Sequence, residues 1–168
     1  IRKLEYLLKE ARDAGCDTVF TYGATQSNHA MQTACAARRC GMDPVLWLRA
    51  VVEPKAGEVR ANLLLDAILG ADVHILHIKD RAAPDVWQQF RPEIEAWRAR
   101  LESEGRKVYD IPVGGSTPRG AVGFAHAYVE LAGQCEAAGV RPDYLFTPSG
   151  SGGTLAGLAA GRALLHHN

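Results

Sequence analysis

Residues 21–40 read TYGATQSNHAMQTACAARRC. An apolar, β-branched run that begins at Thr18 stops at Gly23, gives way to Ala24-Thr25-Gln26-Ser27-Asn28-His29, and resumes as an alanine-rich helical pattern. A strand handing over to a helix in this way opens a parallel βαβ unit, and the junction exposes polar side chains and unpaired helix-start N–H groups at the sheet edge. Serine, asparagine and histidine side by side at such a place need a reason. Ser27 or Asn28 as a helix N-cap supplies one. A ligand supplies another: the helix start grips a carboxylate, Ser27 offers its hydroxyl to a reacting centre, and Asn28 orients a planar ligand.

Outward from this stretch the same alternation continues. Leu4, Leu7, Leu8 and Ala11 fall at helical spacing, with Gly15 as the stop signal. Short apolar runs predict strands over 18–22, 44–48, 73–78, 107–111 and 144–147. Helical patterns fill the gaps over 28–39, 61–69, 84–103, 119–137 and 154–165, and 51–59, with Pro54 and Gly57, reads as a loop. The fold class is α/β, with open parallel twisted sheets and helices on both faces.

Composition narrows the function. The 168 residues carry 19 Lys+Arg against 19 Asp+Glu, so no basic field gathers nucleic acid or an anionic membrane, and small-molecule chemistry is expected. Cys16, Cys35, Cys40 and Cys135 form no CxxC pair and no Cys/His ligand spacing, which predicts no metal site and a reducing, cytoplasmic compartment. No apolar run approaches the roughly 18 residues of a membrane span, and Ile-Arg-Lys-Leu-Glu at the start lacks a signal-peptide profile. Trp47, Trp87 and Trp97 read as core or interface anchors, and His74, His77 and His126 carry no assigned role.

In parallel sheets ligands collect beyond the carboxyl ends of the strands, so the strand-to-helix turns carry the chemistry. Pro148-Ser149-Gly150-Ser151-Gly152-Gly153-Thr154 has the clearest meaning, because its glycines let backbone N–H groups converge on an anion at a helix N-terminus. It lacks the P-loop lysine and does not fit GxGxxG, which leaves a phosphate cup or a plain flexible turn. Val113-Gly114-Gly115-Ser116-Thr117 either brings Ser116 toward a ligand or caps the next helix with it.

Arg2-Lys3-Leu4-Glu5-Tyr6-Leu7, Gly23 to His29 with Gln32-Thr33-Ala34, Leu69-Gly70-Ala71-Asp72-Val73, Ile111-Pro112-Val113-Gly114-Gly115-Ser116 and Ser149-Gly150-Ser151-Gly152-Gly153-Thr154-Leu155-Ala156-Gly157 together resemble one family. It is the group of pyridoxal-phosphate enzymes that includes 1-aminocyclopropane-1-carboxylate (ACC) deaminase and D-cysteine desulfhydrase, of the tryptophan synthase β-like fold, fold type II. The resemblance implies pyridoxal 5′-phosphate as cofactor, held by Lys3, Asn28, Gly150, Ser151, Gly152, Gly153 and Thr154, with Asn28 at its phenolic oxygen. Ser27 is implied as the catalytic serine near the substrate α-carbon, and Ser27, Asn28 and His29 as the substrate-binding turn. The family motif Gly-Gly-Asn-Lys-x-Arg-Lys-Leu-Glu matches Ile1-Arg2-Lys3-Leu4-Glu5 only in its tail. The lysine that holds the cofactor as a Schiff base is therefore expected immediately before Ile1, and the group facing the pyridine nitrogen after Asn168, so that the chain is incomplete at both ends. Two lobes are implied, a smaller one over 15–111 and a larger one formed by 1–14 with 112–168, in a protein that is commonly a homodimer.

Within the family, His29 is similar to the desulfhydrase pattern, where the deaminase pattern has glutamine, and Val113-Gly114-Gly115-Ser116 points the same way. A histidine beside a helix start is also often a hydrogen-bonded neighbour. The reaction expected is β-elimination on a small amino acid, D-cysteine giving pyruvate, ammonia and sulfide. ACC opening to 2-oxobutanoate and ammonia is the alternative, as is sulfite removal from cysteate, with Arg49 or Arg119 serving the sulfonate unless both are surface residues. A cofactor-binding protein without catalysis, and an unrelated phosphate-binding α/β domain, are the readings from other classes.

Overall fold

The computed structural model describes residues 1–52, 55, 59–80, 82 and 85–166. Four strands, β1 (Thr18–Ala24), β2 (Asp43–Ala50), β3 (Asp72–His77) and β4 (Val108–Ile111), form a parallel sheet in the order β3-β2-β1-β4. Helix α1 (Arg2–Asp13) precedes it. Helix α2 (Asn28–Arg39) joins β1 to β2, α3 (Asn62–Ile68) leads into β3, and α4 (Arg91–Ser103) leads into β4. Helices α5 (Pro118–Ala137) and α6 (Gly153–Leu164) follow the sheet. The architecture is the expected α/β one.

Alternation along the strands makes the layers, because successive side chains point to opposite faces. Val45 and Trp47 of β2 join Phe20, Leu76, Phe90 and Ile94 on the face covered by α4, whereas Leu46 and Leu48 join Ala30, Ala34 and Leu63 under α2 and α3. The apolar stripe of α1, Leu4, Leu7, Leu8 and Ala11, packs with Val19, Ala37, Met42 and Ile111. Trp47 is fully buried, and Trp87 and Trp97 flank the same cluster, so all three act as core anchors.

Local signals set most boundaries. Gly15 takes φ +71° just past α1, and its N–H donates to the Arg12 carbonyl at 2.9 Å. The helix expected over 84–103 starts later, at Arg91 with Pro92 in its first turn, after a short 3-10 turn at Gln88–Phe90. Pro54, Gly57, Pro84 and His167 lie outside the described residues.

The strand expected over 144–147 is absent. That stretch is neither helix nor strand, and Tyr144 and Phe146 are 80% and 90% exposed. A β-branched or aromatic run becomes a strand only when a neighbour accepts its backbone hydrogen bonds. No described strand lies beside it. The same segment borders an open groove of about 1770 Å³ lined by Tyr128, Leu131, Tyr144, Leu145, Leu155 and Leu158, which contains none of the expected site residues.

Helices α5 and α6 meet at unusually close range. A methyl group on Gly157 would lie 2.4 Å from the Ala121 carbonyl oxygen, and one on Gly161 would lie 2.6 Å from that of Ala125.

Candidate functional site

The sheet order decides which turns meet. Since β4 pairs directly with β1, Thr21 opposite Ile111, the turn after β4 emerges beside the turn after β1. Thr21 Oγ1 donates to the Ile111 carbonyl at 2.9 Å, which uses its single proton. The same oxygen lies 2.9 Å from His29 Nε2 and therefore accepts from it, which puts a proton on Nε2. Burial, then the nearby Lys3 charge, push the His29 pKa down to about 4. His29 thus ties the start of α2 to β1, and its ring packs toward Gly115 of the second turn, where an added methyl would lie 3.7 Å from Cε1.

Ser27 is the N-cap of α2. Its Oγ accepts from the Ala30 N–H at 3.1 Å, and its side chain lies so close over Gly23 that a methyl there would sit 2.6 Å from Ser27 Cβ. Capping uses a lone pair and leaves the hydroxyl proton available to donate. Asn28 is exposed, with Oδ1 accepting from Asn62 Nδ2 at 2.9 Å. Asn62 gave no signal in the sequence, because an asparagine beginning a helix reads as local capping and its partners lie far away along the chain.

The second and third turns join through side chains. Ser116 does not cap α5; Thr117 does, accepting from the Gly120 N–H at 2.9 Å. Ser116 Oγ instead hydrogen-bonds Ser151 Oγ at 2.5 Å. Helix α6 starts at Gly153 with Gly152 as N-cap at φ +81°, and no side-chain cap hydrogen bond satisfies its first N–H groups.

Lys3 stands at the meeting point. It is 9% exposed, and its Nζ donates to the Gly114 carbonyl at 2.9 Å and lies 5.7 Å from the centroid of the Phe124 ring. Among the described residues no carboxylate pairs with it, and burial lowers its pKa. A methyl group on Gly153 would lie 2.6 Å from Ser116 Oγ and 3.0 Å from Lys3 Nζ, and one on Gly114 would lie 2.4 Å from Ser151 Oγ. The glycines therefore let a buried cation, two hydroxyls and a helix N-terminus come into close contact. That donor set matches a phosphate dianion.

Lys3, Ser116, Ser151 and Gly153 are thus brought together, and Ser27, Asn28 and His29 stand on the adjoining turn. Around Gly150 and Gly152 an added methyl would meet open space, so nothing packs over that end of the loop. Thr154 is partly buried in the first turn of α6. Arg119 pairs with Glu10 at 3.3 Å, and Arg49 lies over the Trp87 ring at 5.4 Å. Both have partners away from that cluster.

A family model described as pyridoxal-phosphate dependent enzyme matches residues 1–168. A provisionally named 1-aminocyclopropane-1-carboxylate deaminase of Pyrococcus furiosus is 42% identical over 165 residues, covering 98% of this chain and 47% of that protein. A protein of the same provisional name from Thermotoga maritima is 41% identical over 170 residues, covering 100% of this chain and 50% of the relative. Among solved structures, one titled as an ACC deaminase homologue superposes with a TM-score of 0.82 at 41% identity, over 98% of this chain and 46% of that one. The chain spans about half the length of the curated relatives it matches.

Proposed function

The chain belongs to the pyridoxal-phosphate-dependent enzymes, and from that premise we propose that it supplies the phosphate cup and the substrate-carboxylate turn of a deaminase acting on a small amino acid of the ACC type. The observation that carries the reading is the buried Lys3 without a carboxylate partner, set beside the uncapped start of α6 and the Ser116–Ser151 pair. The fold type II cofactor, pyridoxal 5′-phosphate, fits there by charge and by the donors that Lys3, the two hydroxyls and the start of α6 would offer its phosphate. When bound, it supplies the electron sink for bond breaking at the substrate's α-carbon.

The protein's own residues do the rest. The first N–H groups of α2 hold the substrate carboxylate with the favourable end of the helix dipole. Ser27, fixed by its cap bond to Ala30, keeps its hydroxyl proton to donate toward the reacting carbon. Asn28 offers its amide to the cofactor's phenolic oxygen. His29 stays neutral and holds the floor of the turn through Thr21. Opening of ACC consumes one water and releases 2-oxobutanoate and ammonia. The names carried by the relatives support this substrate class.

His29 directly after Ser27-Asn28 favours the second reading, D-cysteine desulfhydration to pyruvate, ammonia and sulfide. One experiment separates them: the full-length protein, loaded with pyridoxal 5′-phosphate, is incubated with ACC and with D-cysteine and the 2-oxo acids and sulfide are measured. 2-Oxobutanoate from ACC supports the first reading, and sulfide with pyruvate from D-cysteine alone replaces it with the second. Neither product, with cofactor bound, leaves the cup without the proposed deaminase. In the active protein Ser27→Ala lowers kcat by roughly 100-fold while cofactor stays bound. Unchanged turnover in that variant removes Ser27 from the chemistry.

A further inference from the structure

We propose that Asn62 is a positioning residue that sets the orientation of the Asn28 amide, with Gln26 as the second arm of the clamp. The inference rests on the reading of Asn28 as a cofactor contact. Asn62 Nδ2 donates to the backbone carbonyl of Gln26 and to Asn28 Oδ1, both at 2.9 Å. A backbone carbonyl accepts and never donates, so the Asn62 atom that faces it is the NH2 group. That group presents its other proton to Asn28, and only an oxygen takes it. The orientation of the Asn28 amide is therefore inherited from the main chain. Its Oδ1 is spent on Asn62, and its NH2 keeps both protons for an acceptor such as a phenolic oxygen.

Gln26 closes the arrangement. Its Oε1 accepts from the Asn62 backbone N–H at 3.0 Å, and its Nε2 donates to the Arg60 carbonyl at 3.4 Å. Between these two contacts stands Ala61 at φ 50° and ψ −125°, a strained conformation for a residue with a Cβ. Strained backbone persists where its surroundings hold it, and the Gln26 amide grips it from both sides. The start of α3 is thereby fastened to the start of α2 at the position where Asn28 has to be aimed.

The test is a double-mutant cycle over Asn28→Ala and Asn62→Ala in the full-length protein. It is read by the dissociation constant of pyridoxal 5′-phosphate, the visible absorption maximum of the bound cofactor and the melting temperature of the apoprotein. Asn62→Ala weakens cofactor binding by roughly tenfold. It moves the absorption maximum in the direction that Asn28→Ala moves it, and has neither effect once Asn28 is already alanine. The same loss in both backgrounds, or a fall in melting temperature with affinity and absorption unchanged, overturns the positioning role. If Asn28→Ala itself leaves affinity and absorption as they were, the cofactor reading of Asn28 fails, and the inference falls with it. Should Asn62→Ala not fold, Asn62→Ser takes its place with the same expected outcomes, since its hydroxyl serves the Gln26 carbonyl and is too short to orient Asn28.

Discussion

At the residue scale the site turns on a buried ammonium, that of Lys3. Lys3 is held among Gly114, Gly153 and Phe124 with only a carbonyl to bond, a costly setting for an ammonium unless an anion joins it. Lys3→Gln is expected to weaken pyridoxal 5′-phosphate binding by roughly 10- to 100-fold, the worth of a charge-assisted hydrogen bond. Pyridoxal, which lacks the phosphate, serves as the control in the same titration, and an equal loss for both ligands removes Lys3 from the phosphate. Lys3 could be singled out in the sequence because Arg2-Lys3-Leu4-Glu5 is a recognisable string, whereas its bond to the Gly114 carbonyl could not. The cap function of Ser27 and the bond from His29 to Thr21 were not separable from ligand roles in the sequence, since the same side chains satisfy both and only their neighbours decide.

At the element scale the main work is done by close approach. The α5 and α6 backbones meet at Gly157 and Gly161, where the opposing atoms are the carbonyl oxygens of Ala121 and Ala125 and the Cβ atoms of Phe124 and Tyr128, none of which can swing aside to give room. Gly161→Ala is expected to cost about 1–3 kcal/mol through overpacking. Urea unfolding of the full-length protein measures it, and a neutral or stabilising result rules out that contact as a constraint. Since α6 begins beside Lys3 and Ser116, the proposed phosphate cup predicts that the variant also lowers cofactor affinity. Helices α1, α2 and α5 were readable because apolar spacing and the stop signal Gly15 are local features, whereas the cap of α5 fell to Thr117 and not to the expected Ser116. The 144–147 strand was misread because its β-like composition is local while its pairing is not.

For the whole molecule, two buried groups pull stability in opposite directions with pH. His29, at about 4 when folded against an ordinary 6.5, takes up its proton more readily unfolded, so its contribution is present above pH 6.5 and is lost as pH falls toward 4. Asp66 on α3 is 1% exposed with Oδ1 unpartnered, and burial raises its pKa to about 6 from 3.8. It destabilises the fold above pH 6, and that penalty is relieved as pH falls toward 3.8. Asp66→Asn is therefore expected to stabilise by about 1–2 kcal/mol at pH 7 and by little at pH 4. His29→Gln is expected to flatten the loss between pH 6.5 and 4. Urea midpoints of each variant against the parent across this range check both, and an Asp66→Asn gain that does not fade on acidification refutes the buried-charge account. Strand-to-helix alternation, the glycine-rich turn and the family motifs are properties of consecutive residues, so the sequence alone determined the α/β class and the cofactor. That β4 lies beside β1, that Lys3 reaches Gly114 and that Asn62 bonds Asn28 depend on contacts between residues far apart along the chain. Those only the tertiary structure decided, because hydrogen-bond partners are chosen by proximity in space, which no local pattern encodes.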